Sequence, residues 1–96
     1  MSPQATLSRH PETIATEIDG EVVLMSLVTG RTFGLDKRAS RIWTLLEEPQ
    51  AVEAIVAALL QVYDTTVEKC QADVMAFAEK LSAAQLASLE EPVASK

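Results

Sequence analysis

The sequence predicts an α+β domain in which a three-stranded antiparallel sheet is followed by three helices. Two tight-turn signals, Asp19-Gly20 and Thr29-Gly30, separate strand-like runs in the first third of the chain. After Leu35 the apolar spacing changes from alternating to helical. The 96 residues are enough for one small domain with one core.

The first two strands are predicted to form a hairpin. Apolar and polar residues alternate from Ile14 to Ile18, which is the period of a half-buried strand. Asp-Gly favours a hairpin because both central residues of the tight turn need positive φ. The second strand covers residues 21–28, and apolar residues on nearly both of its faces are typical of a central strand.

The third strand is predicted to cover Arg31 to Leu35, directly after the second turn. No later segment has a strand pattern, so this strand is expected at an edge of the sheet, with unpaired backbone groups. Alternation places Phe33 on the same face as Leu35, and Thr32 and Gly34 on the other face.

Three helices are predicted after the sheet. Asp36 is the expected N-cap of the first, which ends near Glu48-Pro49, and the second covers about residues 50–62. Thr65 and Glu68 match a capping box that would start the third helix. The buried stripe of this third helix is predicted to contain Val67, Cys70, Val74, Phe77 and Leu81.

Both ends of the chain are interpreted as flexible tails. Residues 1–11 and 88–96 are mostly polar and contain proline, so the folded domain is expected to cover residues 12–87. The longest apolar run, residues 54–60, is far shorter than the roughly 20 residues that a membrane helix needs. With no signal-peptide pattern and a single cysteine, a cytoplasmic location is expected.

The inventory of chemistry-bearing residues disfavours an enzyme. His10 lies in the N-terminal segment without a partner at ligand spacing, and Cys70 lies on an apolar helix stripe where a thiol is buried and inert. No phosphate-binding glycine pattern, metal-ligand cluster or cofactor motif is present. The open edge of the third strand could instead bind an extended peptide as an additional strand. The alternative interpretation is that this edge is short, exposed to solvent and has no binding role.

Several segments resemble the PqqD-like family, which is named for protein D of pyrroloquinoline quinone biosynthesis and includes the precursor-recognition elements of ribosomally made, modified peptides. The resemblance covers about residues 12–87 and is closest to stand-alone members of lasso-peptide clusters. It is carried by Gly30-Arg31-Thr32-Phe33-Gly34-Leu35-Asp36, Ala39, Ile42-Trp43, Leu45-Leu46-Glu47-Glu48, Asp73-Val74, Phe77 and Leu81.

The resemblance implies a winged helix-turn-helix-like domain that binds the leader segment of a precursor peptide as an added strand between the third strand and the third helix. The bound peptide would then be presented to a separate enzyme, such as a leader protease, a cyclase or a radical SAM protein. Carried over to this sequence, the peptide-binding residues are Arg31, Thr32, Phe33, Gly34, Leu35, Asp73, Val74, Ala76, Phe77, Lys80 and Leu81. Family members commonly end the third helix with Gly-Leu, whereas this chain has Ala84-Gln85-Leu86.

The charge distribution indicates which kind of partner the chain could bind. Fourteen acidic and eight basic residues give a net charge of −6, yet four cations lie between Arg31 and Arg41. Arg31, Lys37 and Arg38 could attract acidic leader residues at the groove rim, or they could be ordinary solvated charges. A winged-helix DNA-binding regulator is the competing function, but the net charge disfavours nucleic acid. The third-strand edge could also pair with a second copy of the chain.

Overall fold

The structure is a computed structural model that describes residues 4–91. The described chain forms two small antiparallel sheets and three α-helices, as the α+β prediction requires. The elements are, in chain order, β1 (Thr6–Arg9), β2 (Thr13–Ile18), β3 (Glu21–Ser26), β4 (Thr32–Gly34), α1 (Lys37–Leu45), β5 (Gln50–Ala51), α2 (Val52–Leu60), α3 (Val67–Ala83) and β6 (Ala87–Glu90).

The predicted three-stranded meander is confirmed as the sheet β2-β3-β4. Asp19 and Gly20 have φ values of 54° and 82°, and Ile18 pairs with Glu21 across this two-residue turn. On the inner face of β3, Val22, Leu24 and Ser26 are buried. β4 lies at one edge of the sheet, as expected for the third predicted strand.

A second sheet corrects the interpretation of the chain ends as tails. β1 lies between β5 and β6, and its Leu7 is fully buried, as is Ala5 just before it. The expectation that no strand follows Leu35 is therefore also wrong. Each of these strands has two to four residues, too few for a recognisable alternation, and their pairing depends on contacts between distant parts of the chain. Residues 1–3 and 92–96 of the expected tails lie outside the described residues.

All three predicted helices are present, but several of their boundaries differ from the prediction. α1 ends at Leu45, before the expected Glu48-Pro49, and α2 begins at Val52 because Gln50–Ala51 form β5. Asp36 caps α1 as predicted, because its Oδ1 accepts a hydrogen bond from the Ala39 amide at 2.8 Å. The N-cap of α3 is Thr66 instead of Thr65, and its Oγ1 accepts from the Lys69 amide at 3.2 Å. Thr65 was predicted because it lies three residues before Glu68, as a capping box requires. The adjacent Thr66 has the same side-chain hydroxyl, so the prediction is wrong by one residue.

One core joins the sheets and helices and holds β4 in place. The Ser40 side chain of α1 is buried; its hydroxyl accepts from the Val22 amide at 2.8 Å and donates to the Leu35 carbonyl at 3.3 Å. These bonds tie α1 to β3 and to the end of β4. The core side chains include Leu7, Leu24, Ile42, Trp43, Val52, Ile55, Leu59, Val74, Leu81 and Leu86. No helix among residues 4–91 is long and apolar enough to cross a membrane.

Candidate functional site

A groove of about 240 Å³ separates β4 from the C-terminal half of α3. β4 forms one wall of the groove and α3 forms the other. Leu86, which follows the turn at the end of α3, lies at the far end. The groove is lined by Thr32, Phe33, Gly34, Leu35, Phe77, Lys80, Leu81, Ala84 and Leu86.

The β4 wall offers backbone hydrogen-bonding groups. β4 pairs only with β3 among the described strands, and Leu24 is opposite Phe33. The Ser26 amide donates to the Arg31 carbonyl and the Leu35 amide donates to the Val22 carbonyl, so residues 31, 33 and 35 direct their backbone groups toward β3. Strand alternation therefore turns the backbone groups of Thr32 and Gly34 toward the groove edge.

The floor of the groove is apolar. Phe33 of β4 and Phe77 of α3 are both half-buried, and Leu81 and Leu86 are almost fully buried beneath them. Lys80 is exposed on the helix side. The apolar floor can hold an apolar side chain of a bound ligand, and the Lys80 cation lies at the rim of the groove.

The end of α3 forms a Schellman motif. The Gln85 amide donates to the Ser82 carbonyl at 3.1 Å, and the Leu86 amide donates to the Leu81 carbonyl at 2.9 Å. Gln85 adopts a φ of 61° at the position where the resemblance implies a glycine. The turn is thus made without glycine, and it directs Leu86 into the groove.

Ala84 and Leu86 are groove residues that the sequence reasoning missed. The end of the third helix could have predicted them. A residue in the left-handed conformation after a helix brings the next apolar residue back over the last turn.

The structure brings together seven of the residues predicted to bind peptide, and these are Thr32, Phe33, Gly34, Leu35, Phe77, Lys80 and Leu81. Val74 is fully buried in the core, and Ala76 is exposed without lining the groove. Asp73 also lies outside the groove lining, and its Oδ2 is 3.6 Å from both Arg38 Nη1 and Lys69 Nζ. The Arg31 guanidinium carbon is 5.8 Å from the centre of the Phe33 ring.

Lys37, Arg38 and Arg41 of the cation cluster are not among the residues that line the groove. The Arg38 guanidinium stacks 4.5 Å from the centre of the Tyr63 ring while it pairs with Asp73. Lys37 and Arg41 instead line a separate open cavity of about 490 Å³, whose lining also includes Tyr63. Of the three cations considered for the rim, Arg31 has its guanidinium over the ring of a groove residue, Phe33.

Neither the cysteine nor the histidine is among the residues that line the groove. Cys70 is buried, and desolvation raises the pKa of its thiol above the ordinary value, as the sequence predicted. His10 Nδ1 accepts a hydrogen bond from the Glu12 amide at 3.0 Å, and the His10 amide donates to the Leu86 carbonyl. Residues 4–91 contain no group of three His, Cys, Asp or Glu residues that could hold a metal ion.

The fold and the groove define a small α+β domain with an open strand edge beside a helix. The sequence profile described as coenzyme PQQ synthesis protein D (PqqD) matches residues 21–87. The chain belongs to the PqqD family.

Two solved structures are similar over nearly their whole length. TbiB1 in complex with the TbiA(beta) leader peptide has 37% sequence identity and a TM-score of 0.79, over 91% of this chain and 99% of that one. Lasso peptide synthetase B1 complexed with the leader peptide has 18% identity and a TM-score of 0.70, over 85% of this chain and 96% of that one. At this identity the similarity concerns the fold alone. No curated protein matches the chain significantly in sequence.

Proposed function

We propose that the chain is a non-catalytic recognition protein that binds the leader segment of a ribosomal precursor peptide. The leader adds as a strand to the free edge of β4 and packs its side chains between β4 and α3. The observation that supports this most directly is the coincidence of outward backbone groups at Thr32 and Gly34 with an apolar groove. TbiB1, the relative with 37% identity, was solved with a leader peptide.

Side chains of the groove would select among extended peptides. Phe33, Phe77 and Leu86 offer an apolar site for one side chain of the leader, and Lys80 can pair with a carboxylate beside it. Arg31, at the strand end, would raise the association rate of an acidic leader more than its affinity. Asp73, Val74 and Ala76 stay in the proposed peptide-binding set through the family resemblance, with Val74 supporting the helix wall from below.

The bound leader would carry the rest of the precursor to a separate processing enzyme. A leader protease, a cyclase or a radical SAM protein is the expected partner, and a cytoplasmic location remains the prediction from the sequence. A second copy paired through β4 would occupy the same edge as the leader, so that dimer would dissociate when the leader binds. A DNA-binding role has less support, because α2 contains no Lys or Arg and the net charge is −6.

Backbone amide NMR can test the proposal. The TbiA(beta) leader peptide serves as the probe, and a scrambled peptide of the same composition serves as the control. We expect amide shifts at Thr32, Gly34, Phe77 and Lys80, and none with the scrambled peptide. Shifts confined to other elements, or equal shifts with both peptides, would contradict leader binding at this groove. A salt-sensitive response to duplex DNA would favour the regulator instead.

A further inference from the structure

The meander has a second open edge, at β2. In the order β2-β3-β4, β2 lies on the side opposite to the leader groove. Five of its six residues are exposed, and no other strand among residues 4–91 pairs with its outer side. β2 is also twice as long as β4. A long, exposed edge strand is a template for pairing with another chain.

The backbone groups that point out of this edge can be assigned. Ile18 and Glu21 flank the two-residue turn and form a hydrogen-bonded pair. Alternation along β2 then directs the backbone groups of Ile14, Thr16 and Ile18 toward β3. The amides and carbonyls of Thr13, Ala15 and Glu17 therefore point away from the sheet.

The outer face beside this edge is apolar except for Thr16 and for Glu21, which is opposite Ile18 on β3. Ile14 is 49% exposed and Ile18 is 58% exposed, and Met25, which is opposite Ile14 on β3, is 38% exposed. Val23 lies between them on the same face and is half-buried. The one charged residue of β2, Glu17, alternates onto the opposite face.

We propose that a second copy of this chain binds at β2, through antiparallel pairing of the two β2 strands around a two-fold axis at Thr16. In this register, Ile14 of each copy lies opposite Ile18 of the other, and the Ala15 and Glu17 backbones exchange hydrogen bonds. Each Glu17 side chain faces an alanine of the other copy, so the strands meet without opposed like charges.

Neighbouring registers fit less well. Moving the axis to Glu17 would place the two glutamates directly opposite each other, which is destabilising. Moving it to Ala15 would set each Ile14 against a threonine and leave Ile18 beyond the paired segment. The pattern of residues 14–18 is thus self-complementary in one register only. We therefore infer that the strand that pairs with the β2 edge is β2 of a second copy.

Pairing at β2 leaves both leader grooves open. The joined sheet has the order β4-β3-β2-β2-β3-β4, so the two β4 edges lie at its opposite ends. Dimerisation and leader binding are therefore independent, and failure of one leaves the other intact.

Cysteine cross-linking tests the register. The Thr16→Cys change places two thiols across the axis at a Cα separation of about 4.5 Å, the spacing of a non-hydrogen-bonded pair. In the matched control, Ala15→Cys, the two thiols are offset by two residues along the strands, so their Cα atoms lie about 8 Å apart. That exceeds the reach of a disulfide. The one native cysteine, Cys70, is buried.

We expect a disulfide-linked dimer from oxidised Thr16→Cys and monomer from Ala15→Cys. Light scattering of the unmodified protein over a concentration series should show a reversible dimer. Thr16→Lys should shift it to monomer, while the circular dichroism spectrum of the variant stays that of the folded domain. A strictly monomeric protein, or equal cross-linking of both cysteine variants, would overturn the proposal. So would a dimer that survives Thr16→Lys and dissociates when the TbiA(beta) leader peptide is added, because that dimer would use β4.

Discussion

Replacing Thr32 with proline should weaken leader binding while leaving the domain folded. The Thr32 amide points to the groove edge, so its loss removes a donor to the peptide and none of the bonds between β3 and β4. Proline is tolerated at edge strands for the same reason. One backbone hydrogen bond contributes about 0.5–1.5 kcal/mol net. The expected loss of affinity is therefore about 2- to 13-fold, before any steric effect of the ring.

Calorimetric titration with the TbiA(beta) leader peptide measures this loss, and circular dichroism checks the fold. Thr32→Val keeps the amide and should bind nearly as well as the unmodified protein. Ala15→Pro makes the same change at an outward amide on the opposite edge, and it should leave leader affinity unchanged while weakening the proposed β2 dimer. If Thr32→Pro binds as tightly as Thr32→Val, the leader does not add as a strand at β4.

Three further predictions concern stability and reactivity. Gln85→Gly should raise the free energy of unfolding by about 0.5–1 kcal/mol in urea titration. Glycine removes the steric strain of a left-handed glutamine, and this gain exceeds the cost of the larger conformational entropy that glycine gives the unfolded chain. A loss of stability would contradict this explanation of the helix cap. Ser26→Ala should cost about 1–3 kcal/mol, since the fully buried Ser26 Oγ accepts from the amides of Val28 and Thr29; a neutral effect would show that water replaces the hydroxyl. Cys70 should react slowly with a disulfide reagent near pH 8 and rapidly in urea, because burial raises its thiol pKa; rapid reaction in the native protein would contradict burial.

The elements that could be predicted are those with a local cause. The Asp19-Gly20 turn needs only two residues that accept positive φ, and the Asp36 cap needs only a carboxylate before a helical pattern. The periods placed Phe33 on a strand and Phe77 on a helix, and the family resemblance assigned both residues to the groove that they line.

The features that were missed depend on distant contacts. Leu7 is one buried side chain in a short strand, and its burial follows from pairing with β5 and β6 across most of the chain length. Leu86 reaches the groove only because Gln85 reverses the chain after α3. For Arg38 the sequence left open a rim position or a solvated charge; the structure shows that it stacks on Tyr63 and pairs with Asp73.

The pairing of β1 with β6 has a consequence for tethering. Thr6 lies opposite Glu90, so the described chain enters and leaves the fold at the same point. Glu90 is four residues beyond Leu86, which places that point within about 14 Å of the far end of the groove along the chain. An enzyme fused to either end through a short linker would therefore be held at a similar distance from the bound peptide, at a high effective concentration. A circularly permuted chain that joins these ends should keep the same groove.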